Sequence, residues 1–540
     1  MKINEKEKNN TLAEKEAGKE ILRADLAEVI KRHSYGLDKN RPDVVAKRAQ
    51  KNQRTARANV EDLFDTGSFS EYGALTVAAQ RGRRSLDDLI SKTPGDGLIA
   101  GIGTINGNLF PPTKSRCMVL AYDYSVLAGT QGFFNHKKKD RMLVLAHEQR
   151  IPLVLLAEGG GGRPGDVDAA GISVAGLDLK TFSLFGGLSG KVPVVGVVSG
   201  MCFAGNAALL GCCDVIIAAK NSNIGMGGPV MIEGGGLGVF KPEEIGPMDV
   251  QTQNGVVDIE VADDVEMIAV TKKYLSYFQG DIPKWEAGDQ LRLRKLIPES
   301  RRRAYDVRVV IKALADTDSF LELRPKFGQC MVTGFIRIEG RPLGVIANNC
   351  MHMAGAIEAE GADKAARLMQ ICQAHKIPII SLCDTPGFMV GPEIEKRAQV
   401  RHVCRMFVIG SHLTVPYFTI VLRRGYGLGA MAMARGGFHD SFFIASWPSG
   451  EFGGMGLEGA VKAGFRKELE AVKDPAAREA LYEKLVAQLY EMGKAVNMAQ
   501  HLEIDAVIDP ADTRKWIIRG LNSASVRQAD EGGHSYVDPW

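Results

Sequence analysis

The sequence VPVVGVVSGMCFAGNAALL at 192–210 has a counterpart in the second half of the chain, VPYFTIVLRRGYGLGAMAM at 415–433. In both, an apolar run typical of a buried strand leads into a glycine-containing turn and then into a helix-like apolar stretch. At no pair of matched positions do both turns carry an acid, a base or a strong nucleophile. Any chemistry that the two turns share would therefore come from their backbones.

Three more pairs of segments repeat in the same order along the chain. They are DTGSFSE at 65–71 with DTDSFLE at 316–322, GIGTING at 101–107 with GFIRIEG at 334–340, and RIPLVLLAEGGGGRPG at 150–165 with KIPIISLCDTPGFMVG at 376–391. The separation between the members of a pair shrinks along the chain, as differences in loop length would produce. A repeat of this length indicates a duplicated domain rather than a solenoid.

Each copy alternates strands with helices. A hairpin is predicted at the Ile-x-Gly turns INGN and IEGR, followed by helix-like stretches at 141–149 and 365–375. Strand–helix alternation predicts an α/β fold in each half. A charged segment at 284–307 is the expected linker.

Length and composition narrow the class of protein. A chain of 540 residues, 45% hydrophobic, suits two domains. The net charge of +3 gives no reason to expect a nucleic-acid partner. The nine cysteines are scattered without a C-x-x-C pair, which argues against a zinc site and suits a reducing compartment. With no signal-peptide pattern and no apolar run of roughly 20 residues, a cytoplasmic protein without a membrane span is expected.

The glycine turns are the candidate functional elements. A turn that enters a helix exposes backbone N–H groups and a partial positive charge, which can hold a phosphate or an oxyanion. Each half has two such turns, at 158–163 and 204–206, and at 385–391 and 427–429. Neither half has a P-loop or a G-x-G-x-x-G fingerprint, which favours oxyanion stabilisation. The alternative is that the glycines only allow tight strand-to-helix packing.

The chain resembles the carboxyltransferase (β) subunits of biotin-dependent acyl-CoA carboxylases, the propionyl-CoA and methylcrotonyl-CoA carboxylase family. The resemblance runs from about Glu28 to about Ser525 and rests on eight ordered motifs: DTGSFSEYG, GTING, EGGGGRPG, GMCFAGNA, GFIRIEG…LGVIANN, CDTPGFMVG, GYGLGAMAM and WPSGEFGGMGLEGAV. It implies two homologous crotonase-like (ββα-superhelix) domains from an internal duplication. The expected limits are a polar extension at 1–27, an acyl-CoA domain at 28–290, a biotin domain at 291–525 and a tail at 526–540.

The resemblance also implies a mechanism. Carboxybiotin releases CO2, the resulting biotin enolate removes the α-proton of the acyl thioester, and the thioester enolate attacks CO2, at the α or the vinylogous γ carbon. Two oxyanions then need two holes, and no protein base is required. Carried over by motif, the first hole uses the N–H groups of Gly205 and Asn206, and the second uses those of Leu428 and Gly429. Substitution of Gly205 or Gly429 by valine is expected to abolish transfer while leaving the fold intact.

Further residues are assigned to substrate and cofactor by the same resemblance. Ala204 and Gly427 belong to the two turns, and Lys137, Lys138 and Arg163 are candidates for the CoA phosphates. Met431 takes a position tied to acyl-chain choice, where an apolar side chain would reshape the acyl pocket. The alternative readings are a solvated helix end for the lysines and, for Arg163, a structural pair with Glu158.

The expected cofactor and partners follow from what the family needs. The chain has no biotin-attachment tetrapeptide and no ATP-grasp phosphate loop, so biotin is expected on a partner, a biotin carboxylase and biotin carboxyl carrier (alpha) subunit. No metal is expected. The subunit is expected to form a homo-hexamer, with active sites where the N-terminal half of one chain faces the C-terminal half of another.

Two other functions remain open from the sequence. One is a carboxyltransferase subunit of a biotin-dependent acyl-CoA decarboxylase sodium pump. The other is a non-catalytic scaffold subunit of a carboxylase complex, since Asn206 and Met431 depart from the family pattern and fold alone does not fix function. Tyr124, Ser125 and Cys202 are the rival nucleophiles, although no histidine–acid pair can be placed beside them. The sequence leaves the acyl-CoA and the direction of the reaction undecided.

Overall fold

The computed structural model describes residues 22–169, 175–301, 303–525 and 536–540. Most of the predicted extension at 1–27 and of the predicted tail at 526–540 lies outside these residues. The chain forms two large mixed sheets, one in each half, together with a small two-stranded sheet. The domain limits at 290 and 525 stay predictions. The sheet of the first half ends before residue 290, and the sheet of the second half begins after it.

The sheet of the first half has the order β1-β2-β3-β4-β5-β7-β9. Its strands are β1 Ser70–Glu71, β2 Leu98–Thr104, β3 Arg116–Tyr122, β4 Leu153–Leu156, β5 Val194–Val198, β7 Val215–Ala219 and β9 Ile259–Val261, and β6 Met201–Phe203 pairs with β8 Asn223–Gly225 in the small sheet. The first three strands are antiparallel and the others run parallel.

The sheet of the second half has the order β10-β11-β12-β13-β14-β15-β17, and β16 also pairs with β14. Its strands are β10 Leu321–Leu323, β11 Met331–Ile338, β12 Arg341–Asn348, β13 Ile379–Thr385, β14 Tyr417–Tyr426, β15 Phe443–Ser446, β16 Glu451–Gly453 and β17 Ala506–Val507. It repeats the plan of the first sheet, with an antiparallel start followed by parallel strands. The duplication inferred from the sequence therefore appears as two sheets in which antiparallel and parallel strands follow one another in the same order.

Both expected hairpins are present, with different connections. Ile338 pairs with Arg341 across the two-residue turn Glu339-Gly340. Both turn residues have positive φ, of 53° and 77°, as a tight hairpin turn requires. In the first half, β2 and β3 are joined by a longer connection that contains the short helix Pro112–Ser115.

The helices fill the connections between strands. In the first half they are Ala24–Ser34, Pro42–Ala49, Ala56–Leu63, Leu86–Lys92, Pro112–Ser115, Phe133–Gln149, Thr181–Gly186, Gly205–Gly211, Pro229–Gly234, Met248–Gln253 and Asp264–Gln279. In the second half they are Val307–Leu314, Ala359–His375, Pro392–Glu395, Gln399–Ser411, Gly427–Met433, Leu457–Gly464, Arg466–Ala471, Pro475–Met492, Ala495–Gln500 and Thr513–Ser523.

Rare backbone conformations also repeat between the halves. Leu127, Ala128 and Gly129 have φ of 49°, 54° and 62°, and the matching run of the second half, Met353, Ala354 and Gly355, has φ of 47°, 53° and 83°. A run of three left-handed residues is uncommon because Cβ crowds the backbone there. Each run precedes a helix of 17 residues, Phe133–Gln149 or Ala359–His375. Both helices begin well before the first residue that the sequence predicts.

Successive side chains along a strand point to opposite faces of the sheet and therefore belong to different core clusters. On β3, Met118 and Leu120 face a cluster within the first half, whereas Val119 and Ala121 face a cluster that also contains second-half residues. The second half has a separate cluster of its own on its outer side. The halves are joined further by polar contacts, such as Arg324 Nε to Asp258 Oδ1 at 2.8 Å. The two glycine turns are thus held on one continuous scaffold.

Candidate active site

The first turn, Ala204–Asn206, connects β6 to the helix Gly205–Gly211. Ala204 caps this helix with φ of 52° and ψ of −125°, a conformation that costs free energy for a residue with a Cβ. Its N–H donates to the Gly225 carbonyl at 3.2 Å. Within the described part of the chain, no oxygen accepts a hydrogen bond from the amides of Gly205 and Asn206. The turn thus presents two adjacent free donors.

The second turn, Gly427–Gly429, connects β14 to the helix Gly427–Met433. Gly427 has φ of 56°, close to that of Ala204. The amides of Leu428 and Gly429 likewise have no acceptor among the residues described. The turn opens into a cavity of about 510 Å³ whose wall includes Leu428 and Met431. Every residue lining this cavity comes from the second half.

Each turn rests on the other glycine loop of its own half. In the first half, a Cβ on Gly161 would lie 2.6 Å from the Ala204 Cβ, and the Gly159 N–H donates to the Met201 carbonyl at 2.8 Å. In the second half, a Cβ on Gly429 would lie 2.7 Å from the Gly387 Cα. The sequence offers four separate glycine segments, and the structure combines them into two paired sites.

The side chain of Asn206 points away from the free amides and into the protein. It is fully buried and accepts from the Gly161 N–H at 3.2 Å, while its Nδ2 donates to the carbonyls of Gly129 and Ala157. The side chain thus holds neighbouring loops together, and the backbone N–H of Asn206 remains a donor.

A buried acid lies at the end of the strand under each turn, at equivalent positions of the two halves. Glu158 accepts two hydrogen bonds from Arg48, at 2.7 and 2.8 Å, and burial raises its pKa to about 6. Asp384 is fully buried and accepts from Tyr305, from Arg423 at 3.0 Å and from Arg424 at 2.7 Å. The carboxylate of Asp384 is thus the centre of a buried ion-pair cluster.

The candidates for CoA phosphates are placed in different environments. Lys137 is exposed and lies over the ring of Phe133, 4.8 Å from its centroid. Lys138 is buried and donates to the carbonyls of Gly95 and Leu98. Its counterpart in the second half, Lys364, is also buried and donates to two carbonyls, which indicates a structural role shared by both lysines. A phosphate would find only Lys137 within reach of solvent.

Arg163 is also committed to contacts within the chain. Its guanidinium pairs with the buried Asp96 and with Asp166, and its side chain is 4% exposed. The expected partner, Glu158, is wrong, because that carboxylate is already held by Arg48. Asp96 lies 67 residues from Arg163 in the sequence, and the fold brings the two side chains together.

Two of the rival nucleophiles, Cys202 and Ser125, show no activation. Cys202 is fully buried, and burial raises the pKa of its thiol far above the ordinary value. Ser125 bonds to Asp123 and Arg41, without a histidine. A buried neutral thiol is a poor nucleophile. The free backbone amides remain the groups best placed for chemistry.

Comparison with known proteins identifies the family. A family profile described as carboxyl transferase domain matches residues 47–531. The chain belongs to this carboxyltransferase family. It is 30% identical over 494 residues to the methylmalonyl-CoA carboxyltransferase 12S subunit of Propionibacterium freudenreichii subsp. shermanii, covering 90% of this chain and 91% of that protein. It is also 30% identical to the biotin-dependent long chain acyl-coenzyme A carboxylase beta4 subunit of Mycobacterium tuberculosis, over 92% and 94% of the two chains.

Solved structures give the same family. A single-chain, multi-domain long-chain acyl-CoA carboxylase superposes with a TM-score of 0.87 at 55% identity, over 92% of this carboxyltransferase chain. The chain spans 49% of that longer protein. The hexameric transcarboxylase 12S, solved with methylmalonyl-CoA, superposes with a TM-score of 0.80 at 28% identity, covering 94% and 96%. The chain is thus a carboxyltransferase of the type found in biotin-dependent acyl-CoA carboxylases. None of its described helices is both long enough and apolar enough to cross a lipid bilayer.

Proposed function

We propose that this carboxyltransferase moves CO2 from carboxybiotin to an acyl-CoA by using the two turns as two oxyanion holes. The observation that carries the proposal is the pair of matched turns, each with two adjacent amides that have no acceptor among the described residues. Backbone donors fixed in this way stabilise negative charge as it develops. The mechanism needs no side-chain base from this chain.

The first turn would act on the acyl thioester. The amides of Gly205 and Asn206 hold the thioester oxygen while the α-carbon loses its proton and that electron pair forms the bond to CO2. The charge on the oxygen rises and falls during this step, so the amides bind the transition state better than the substrate. Losing one such donor costs about 3 kcal/mol in the transition state.

The second turn would act on the biotin carried by a partner. When bound, carboxybiotin supplies the CO2 and the group that takes the α-proton. The amides of Leu428 and Gly429 hold the ureido oxygen of this cofactor. The residues fit it, because the free amides border an open cavity of about 510 Å³, which is larger than the fused rings and leaves space beside them for part of an acyl chain.

We infer that the substrate has a long acyl chain. Met431 lines the cavity beside the second turn, where it is 38% exposed, together with the apolar Phe438, Phe452 and Met498. An apolar wall favours a long hydrocarbon, by about 0.8 kcal/mol for each buried methylene. The relative with 55% identity is described as a long-chain acyl-CoA carboxylase, which supports this substrate class.

The active site would combine two chains. The first turn is built by the first half, and the cavity at the second turn has no lining residue from that half. A site that needs both turns can form where two copies meet. The hexamer described for the transcarboxylase 12S relative supports a hexamer of this chain, with a biotin-bearing subunit bound to it.

A carboxylation assay tests the proposal. The full chain is purified with whatever binds it, given ATP and labelled bicarbonate, and offered acetyl-, propionyl-, butyryl-, methylcrotonyl- and palmitoyl-CoA. Label fixed in palmitoyl-CoA is the expected result. Fixation in a short acyl-CoA would overturn the substrate class alone. No fixation despite an active biotin carboxylase would favour a decarboxylase or scaffold subunit.

A further inference from the structure

A buried lysine lies beneath the first turn without a carboxylate partner. Lys139 has no exposed surface, and its ammonium donates to the Tyr122 hydroxyl at 2.7 Å and to Gln131 Oε1 at 3.0 Å. Within the described residues it takes part in no ion pair, and burial lowers its pKa well below the ordinary value. Burying such a group without an opposite charge costs free energy, which suggests a gain elsewhere.

Hydrogen bonds run from this lysine to the turn. Gln131 receives the bond from Lys139 on Oε1 and donates from Nε2 to Asn206 Oδ1 at 3.1 Å. Asn206 in turn donates from Nδ2 to the carbonyls of Gly129, at 3.3 Å, and Ala157, at 3.4 Å. All three side chains of the network are buried, so water does not compete for these bonds.

The chemistry at the two ends fixes the direction of the network. A lysine ammonium can only donate and a carbonyl can only accept, so both amide side chains between them have one favourable orientation. The side chain of Gln131 also supports the turn directly, since a Cβ on Gly205 would lie 3.1 Å from its Nε2. A change in the orientation or position of Gln131 would therefore move Gly205 and Asn206 together.

We propose that Lys139, Gln131 and Asn206 act as positioning residues, which hold the amides of Gly205 and Asn206 in the direction that the thioester oxygen requires. This inference rests on the proposed function of the first turn. The network is confined to the first half. In the second half, the counterparts of Gln131 and Lys139 are Ile357 and Ala365, and the counterpart of Asn206 is Gly429.

The variant Gln131→Glu changes the direction of the hydrogen bonds at residue 131 without changing how the side chain packs. It keeps the volume of the side chain and still accepts from Lys139, but an ionised carboxylate cannot donate to Asn206 Oδ1. Lys139→Met removes the donor-only end of the network. Lys364→Met is the matched control, because Lys364 is also a buried lysine and, among the residues described, its ammonium donates to the carbonyls of Phe327 and Met331 and to no other group.

Two readouts on the full chain distinguish positioning from stability. The first is kcat and KM for carboxyl transfer from the carboxylated acyl-CoA to free biotin. The second is the infrared stretch of bound palmitoyl-CoA labelled with ¹³C at its thioester carbonyl, which falls in frequency when donors bind the oxygen. For Gln131→Glu and Lys139→Met, kcat should fall by about 10²-fold with a nearly constant KM. The carbonyl frequency should return toward its value in water, while Lys364→Met keeps both wild-type values.

Other outcomes would overturn the proposal. A wild-type kcat and carbonyl frequency in Gln131→Glu would remove the positioning role and leave the two-turn function standing. Equal losses in all three variants would indicate a general loss of stability instead. If the wild-type chain itself shows no fall in carbonyl frequency on binding, both the positioning role and the first hole are wrong.

Discussion

The first turn is supported by buried side chains in addition to its glycine loop, whereas the second turn rests on the backbone of its glycine loop. The buried side chains of Gln131 and Asn206 lie beneath the backbone N–H groups of Gly205 and Asn206. The side chain of Lys139 in turn donates to Gln131. Beneath Gly429 lies the main chain of Gly387, too close to admit a Cβ. The two halves thus share the donor turns and the glycine loops beneath them, and they differ in the side chains that support the first turn.

The largest expected difference concerns the buried acids. Asp384→Asn removes the partner of both Arg423 and Arg424, and should cost about 3–5 kcal/mol because it leaves buried charge uncompensated. Glu158→Gln affects the single Arg48 and should cost roughly half as much. Thermal unfolding of both variants at pH 7 measures the difference. A larger loss in Glu158→Gln would reverse this ranking of the two sites.

Acid should weaken the first half selectively. Burial, with Lys139 and Arg163 nearby, lowers the pKa of His136 to about 3, against 6.5 in the unfolded chain. The unfolded state therefore binds more protons between these values, and stability falls as the pH drops below 6.5. At pH 5 the loss contributed by His136 is about 2 kcal/mol, and Glu158, whose pKa burial raises to about 6, offsets part of it.

The substitution His136→Gln tests this pH dependence. The counterpart of His136 in the second half is the buried Ala362, which cannot titrate. The variant should lose less in melting temperature between pH 7.5 and pH 5 than the wild type. An unchanged difference between the two pH values would show that other groups control the acid response.

Adding a methyl group should distinguish the two turns. In Gly429→Ala the Cβ would lie 2.7 Å from the Gly387 main chain, so overpacking should cost about 1–3 kcal/mol. In Gly205→Ala it meets only the Gln131 side chain, so the cost should be under about 1 kcal/mol while transfer falls. The sequence-based expectation that valine at 429 leaves the fold intact stays a prediction, and this close contact argues against it. Melting temperatures and transfer rates of both variants check the contrast, and equal melting temperatures would contradict it.

The smallest effect is expected at the residues that precede the free amides. Ala204→Gly relieves a left-handed alanine, worth about 1–2 kcal/mol, but adds flexibility that costs about 0.5–1 kcal/mol. A net gain below about 1 kcal/mol should follow. Gly427→Ala should lose about 1–2 kcal/mol, since its Cβ would also lie 2.9 Å from the Gly454 carbonyl. Paired calorimetry measures both, and a loss in Ala204→Gly would show that Ala204 is unstrained.

The repeated motifs were enough to predict the duplicated α/β plan, because strand alternation and glycine turns are local signals. The supports were not predictable in the same way. Lys138 and Lys364 look like solvated charges in the sequence, yet each is buried and donates to carbonyls 33 to 43 residues away. Gln131 lies 75 residues from Asn206, and Asp96 lies 67 residues from Arg163. Such partners depend on how the loops meet, which no spacing in the sequence encodes.

Mixing two inactive variants tests most directly whether the two turns act together across chains. Gly205→Val blocks the first turn, and Leu428→Pro removes one N–H of the second at a helix start that tolerates proline. Each variant alone should fail to transfer the carboxyl group. Co-expressed, they should recover part of the wild-type rate, because some interfaces join an intact first turn to an intact second turn. Normal turnover by either variant alone, or no recovery in the mixed oligomer, would contradict the account.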